Sequence, residues 1–170
     1  TRALAQDWVD GITAVYSSTE RKALDGAGLL AAHRGLGVVA LAALGENDRT
    51  STGYLPPDEF ERTADAFFAH PGRSVRGWER AVDAQARIVA AVDHVLAHDA
   101  SAGDIAIVAH GAVGTLLYCH LASVPIDRRW DQPRNGGGNR IVFGVDPRVV
   151  HGWWQPIDAA SAPAAPPPAP

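Results

Sequence analysis

This sequence predicts an α/β fold of three layers, with helices on both faces of a mostly parallel sheet. Three observations carry that prediction. Short β-branched runs alternate with amphipathic stretches along the chain, which favours strand-helix units over hairpins. Two of the runs lead straight into polar residues that can open a helix, at Ser17-Ser18-Thr19 and at His110-Gly111. A length of 170 residues with 46% hydrophobic and 20% charged residues suits one domain around one core.

Taken in order, Ala3, Leu4, Trp8 and Val9 have the spacing of one apolar face, so residues 1–10 predict a short helix ended by Gly11. Ile12 to Tyr16 predicts a buried strand, and the hydroxyls that follow can cap a helix from Glu20 to His33. Ala23, Leu24, Ala27, Leu30 and Ala31 would be its inner side and Gly35 its stop. Val38 to Leu44 is another apolar run, followed by a polar loop from Gly45 to Pro57. Helical spacing returns over Asp58 to Phe68, breaks at Pro71 to Gly77, and resumes over Trp78 to His98 through Val82, Ala86, Val89 and Val92. Ile105 to Ala109 predicts a second clear strand, Ala112 to Leu121 a helix, and Ile141 to Val145 a further strand after the glycine-rich turn 135–139. Residues 1–158 would form the domain, and 159–170, almost wholly Ala and Pro, a flexible tail.

Composition excludes several function classes. A net charge of −4 without long basic runs argues against nucleic acid or anionic lipid as a partner. A single cysteine, Cys119, forms no internal disulfide and no Cys-rich metal site. No stretch has the length of a membrane-spanning helix and no signal peptide opens the chain, so a cytoplasmic setting is expected. The chain contains no Met, so Thr1 is a processed end or the start of a fragment.

Chemistry concentrates at the two strand-to-helix junctions. Arg21 and Lys22 fall in the opening turn of a helix, where the dipole disfavours cations unless an anion joins them. Taken alone, that feature is better read as a capped helix with a solvated surface. His110 would emerge at the mouth of the sheet, beside the amides of Gly111 and Ala112, and an imidazole there can hold a phosphate or move a proton. His94 and His98 have the spacing of a metal pair but lack an evident third ligand, so no metal is expected.

Tyr16-Ser17-Ser18, the helix through Lys22-Ala23 and Ala27, Gly35-Leu36 with Val38, Leu44-Gly45-Glu46 and Val108-Ala109-His110-Gly111 occur in the usual order of one family. In these residues the chain resembles the histidine phosphatase superfamily, whose fold is phosphoglycerate mutase-like. The resemblance implies phosphomonoester hydrolysis through a phosphohistidine, without a cofactor. Two alternatives stand beside it: a mutase-type phosphotransferase and a non-catalytic phosphate-ligand binding module. It implies that His110 stabilises the transferring phosphoryl group and that Glu46 protonates the leaving oxygen, with Lys22 or Arg21, Ser18 and Gly111 holding phosphate. The partner would be a small phosphorylated substrate, and assembly into a homo-oligomer stays open.

Departures from the family pattern are also legible. No histidine precedes His33, whereas the resemblance implies an Arg-His-Gly motif on a first, central strand beside Ile105 to Ala109. His33 would sit near the end of a helix and cannot replace that nucleophile. Lys22 stands where the family has a phosphate-binding arginine, with Arg21 one place earlier, so the planar fork is either replaced by a point charge or shifted by one residue. The glycine expected four residues after the acid comes later, at Gly53, which leaves Asp48 a competitor to Glu46. Without a first strand, two apolar strands should carry unpaired backbone groups, so a gap in the sheet, a strand borrowed from a partner or a missing N-terminal segment is expected, and of these the last, with a histidine in it, is the expectation adopted.

Overall fold

The computed structural model describes residues 2–133, 138–146 and 148–159. The expected Ala/Pro tail from 160 onward and most of the glycine-rich turn, 135–137, lie outside the described residues. A parallel sheet in the order β2-β1-β3 forms the middle layer, from β1 (Ile12–Ser17), β2 (Val38–Ala40) and β3 (Asp104–Val108). Helix α1 (Arg21–Arg34) joins β1 to β2. Helices α2 (Pro57–Ala69) and α3 (Ala81–His98) fill the connection from β2 to β3, and α4 (Gly111–Leu121) follows β3.

Alternation along the strands decides which helix covers which face. Val15, Val38, Ala106 and Val108 join Ala27, Leu30 and Ala31 of α1 in one cluster. Tyr16 and Ile107 turn to the opposite face, where Ile88, Ala91 and Val92 of α3 meet Val113 and Leu117 of α4. Farther out, Phe67 and Phe68 of α2 pack with Trp78, Ala81, Ala84 and Leu116. Gly35, at φ 68°, ends α1 in the left-handed conformation and donates back to Ala31 and Ala32, a stop that glycine adopts without steric cost. Gly11 serves close approach instead, since a Cβ there would lie 2.5 Å from Asp104 Oδ2 at the start of β3.

Four expectations are corrected. Residues 1–10 form two 3-10 turns, Ala3–Ala5 and Asp7–Val9, separated by an extended Gln6; one apolar face over ten residues cannot offset the cost of helix nucleation. The buried side of α3 runs through Ala81, Ala84, Ile88, Ala91, Val92 and Val95, while Val82 and Ala86 are exposed. Ala81 and Ala84 pack with Leu116 of α4, and Ile88, Ala91 and Val92 with its Val113 and Leu117, so contact with α4 sets the buried side. Residues 141–145 do not join the sheet. Phe143 bridges Val150 and His151 donates to the Val142 carbonyl, a local hairpin whose closure costs less entropy than a crossover. Beside it lies the two-stranded pair β4 (Asn139–Arg140) and β5 (Gln155–Pro156).

The fourth correction concerns the sheet itself. No gap separates β1 from β3, which pair from Ile12↔Asp104 to Ser17↔Val108, with Ser18 N donating to Val108 O at 3.0 Å. Central β1 is paired on both sides, whereas β3 is an edge strand that meets no further strand among the described residues. Among the described residues, unpaired strand backbone is therefore left at the outer edges of β2 and β3 and not between β1 and β3.

Candidate active site at the carboxyl ends of β1 and β3

Parallel pairing of β1 with β3 brings two junctions to the same end of the sheet. Ser18 and His110 each follow their strand closely, so their side chains meet above it. Ser18 Oγ and His110 Nε2 share a hydrogen bond of 2.7 Å. Ser18 is fully buried and the His110 side chain only 13% exposed, so the pair is fixed by packing. The hydroxyl was expected to cap α1, but the N-cap is Glu20 and no side chain caps that helix. Ser18 accepts from the Glu20 amide at 3.3 Å and otherwise serves the histidine.

Glu20 was not anticipated at the site. Its Oε1 lies 3.3 Å from His110 Nε2 and accepts from the Glu46 amide at 2.8 Å. Both Ser18 and Glu20 address the same ring nitrogen, so this is no acyl-transfer triad, where the acid must hold the other nitrogen. The sequence carried a faint signal, an acid standing next to two cations at a helix start.

Glu46 arrives from the long loop, as expected. Its Oε1 accepts from its neighbour Asn47 N and from Val113 N in the first turn of α4, each at 3.2 Å. That turn has free amides and the positive end of the helix dipole, which draw a carboxylate. Arg87 of α3 secures the loop by donating to the carbonyls of Ala43, Gly45 and Glu46, and its pairing with Glu79 raises its already high pKa. Sequence reading missed Arg87, whose signal was a lone cation close to the apolar side of α3.

Asp48 takes a different role. Its Oδ1 accepts from Thr50 N and Thr50 Oγ1 at 2.8 and 2.7 Å, and these bonds hold its pKa below the ordinary carboxylate range. A carboxylate stabilised as the anion is a poor proton donor. Gly53 has φ 59° and Thr52 Oγ1 accepts from Trp78 Nε1 at 2.9 Å, so the loop turns back onto the α2–α3 connection.

The two cations of α1 do not converge with the rest. Arg21 is 89% exposed in its side chain and bonds Asp25 one turn on, at 2.9 Å. Lys22 is exposed and has no hydrogen bond or ion pair among the described residues. Gly111 opens α4 under Gln132, whose Nε2 would stand 2.2 Å from a Cβ at that position. Gln132 in turn accepts from Asn139 Nδ2 at 3.0 Å, which ties Asn139 to the residue that covers Gly111.

Other chemistries find little support in these side chains. Cys119 is buried, and burial pushes its thiol up to about 11, so little thiolate exists near neutral pH. Among the described residues no three His, Cys, Asp or Glu side chains cluster for a metal ion, and His98 Nδ1 donates to the His94 carbonyl. No helix among them is long and apolar enough to cross a membrane.

The family model of the histidine phosphatase superfamily (branch 1) matches residues 1–155. The chain belongs to that superfamily. Solved structures share the fold of this histidine phosphatase chain. A mycobacterial glucosyl-3-phosphoglycerate phosphatase in complex with inorganic phosphate is 20% identical with a TM-score of 0.70, over 94% of this chain and 86% of that one. Bacillus stearothermophilus YhfR is 25% identical, TM-score 0.68, over 88% and 79%. A protein described as mycobacterial hydrolase 2 is 22% identical, TM-score 0.61, over 75% of this chain, which spans only 60% of that one. No curated protein matches the chain.

Proposed function

We propose that this chain carries most of the active site of a phosphomonoester hydrolase that works through a phosphohistidine. One observation carries the reading: Ser18 and His110, from adjacent strand ends, meet at 2.7 Å, and Glu46 is bonded into the first turn of the helix that His110 opens. A phosphoryl group in flight spreads negative charge over its oxygens and needs positioned donors around it. His110, Ser18 and the amides of Gly111 and Ala112 supply donors there. Glu46 protonates the leaving alcohol oxygen as the P–O bond breaks, and water later attacks the phosphohistidine to release phosphate.

The attacking imidazole is the remaining part. We place it on a strand paired along the outer edge of β3, in a segment outside these 170 residues. That edge supports the placement, because its backbone groups have no strand partner among the described residues. A phosphate-ligand binding module without turnover is the second reading. It is favoured by the absence, among the described residues, of another histidine bonded to Ser18, Glu46 or His110.

The natural full-length protein decides between them. Turnover of p-nitrophenyl phosphate with acid-labile phosphohistidine is expected from it, and negligible turnover from the 170 residues by themselves. Robust turnover by the 170-residue chain would place the nucleophile within it and overturn the assignment.

A further inference from the structure

The anion cradle of this site is occupied by the chain's own carboxylate. Glu20 Oε1 takes a hydrogen bond from the Glu46 amide at 2.8 Å and lies 3.3 Å from His110 Nε2. One oxygen is thus held by the amide of the loop after β2 and lies within ion-pair distance of the histidine at the start of α4, whose Nε2 hydrogen bond goes to Ser18. A carboxylate oxygen and a phosphoryl oxygen use the same donors. Glu20 is nevertheless half exposed in its side chain, so it can leave without disturbing the core. The nearby cations do not anchor it, because Arg21 is bound to Asp25 and Lys22 faces solvent.

We infer that Glu20 is an internal competitor that sets the affinity of the phosphate subsite, holding His110 and the Glu46 amide until a phosphoryl ligand displaces it. The inference rests on the phosphate subsite described under the proposed function. When Glu20 swings out, the Glu46 amide is freed and a carboxylate no longer stands beside His110 to face the incoming dianion. The ligand class is therefore a phosphoryl dianion able to outcompete a tethered carboxylate, and a neutral or singly charged ligand of similar size gains little.

Calorimetric titration of the natural full-length protein with inorganic phosphate tests this. If the site is open about a tenth of the time, Glu20→Ala tightens phosphate binding about tenfold, since the apparent affinity is scaled by the open fraction. Glu20→Gln should tighten it less, because the amide oxygen can still accept from Glu46 N. Adding His110→Ala should remove the gain in either background, which locates the phosphate at this histidine. Wild-type binding with unchanged or weaker affinity in Glu20→Ala overturns the role of Glu20 and leaves the phosphatase reading standing. Absence of phosphate binding in all the proteins overturns both.

Discussion

Ser18 and His110 lie 92 residues apart in sequence and 2.7 Å apart in space, because β1 and β3 are parallel neighbours with Ser17 opposite Val108. The pair is the fixed point of the site. Phosphate, sulfate or vanadate should raise the melting temperature of the protein, as a ligand bound only by the native state must. His110→Ala should remove most of that increase and Ser18→Ala a smaller share. Equal protection of wild type and His110→Ala in a thermal-shift titration would place the anion elsewhere.

Glu46 and Asp48 are two residues apart with opposite fates. One carboxylate leans on the start of α4, and the other is tied to Thr50 and held as the anion. In the full-length protein, Glu46→Gln should lower kcat about 10²–10³-fold toward substrates with poor leaving groups, the usual contribution of a general acid. Toward p-nitrophenyl phosphate the loss should be smaller, because that leaving group hardly needs a proton. Asp48→Asn should change kcat less than about threefold. The reverse order of effects would reassign the acid.

Arg87 binds no substrate in this reading, yet it ties three loop carbonyls and Glu79 to α3. Arg87→Met keeps the stem and removes those bonds. It should cost about 2 kcal/mol of stability, several partly exposed charge-assisted bonds being lost together. Because the loop that carries Glu46 loses its support, kcat should fall, and phosphate affinity should shift as well, since the Glu46 amide is a donor of that subsite. Urea unfolding and a phosphate titration separate the two effects.

Cys119 provides a pH signature. Burial lifts its thiol from 9.0 to about 11. Between those values the unfolded chain gives up a proton that the native chain keeps, so this group's contribution falls as pH rises through that window and is constant below it. Cys119→Ala should flatten the alkaline loss of stability relative to wild type. Urea midpoints of both proteins at about pH 8 and about pH 10.5 would show it, and parallel slopes would refute it.

The sequence by itself determined the order of the principal strands and helices, the stop of α1 at Gly35, and the candidacy of His110 and Glu46. All of these except Glu46, which rests on the family resemblance, follow from local rules: β-branched runs, apolar periodicity, glycine at a left-handed cap, and polar residues directly after a strand. Tertiary structure decided which partners each residue meets. Periodicity suggested an inner side for α3 through Val82 and Ala86, but contact with α4 selected the alanine seam through Ala81 and Ala84. Residues 141–145 have the composition of a sheet strand, yet a nearby partner made them half of a hairpin. Arg21 and Lys22 stood in the right places of a motif, but a side chain one turn on captured the first and solvent kept the second. Glu20 entered the site because the pairing of β1 with β3, and a loop held by Arg87, brought His110 and the Glu46 amide beside one carboxylate. Local sequence encodes dihedral preference and burial, whereas convergence of donors from distant segments exists only once the strands have paired.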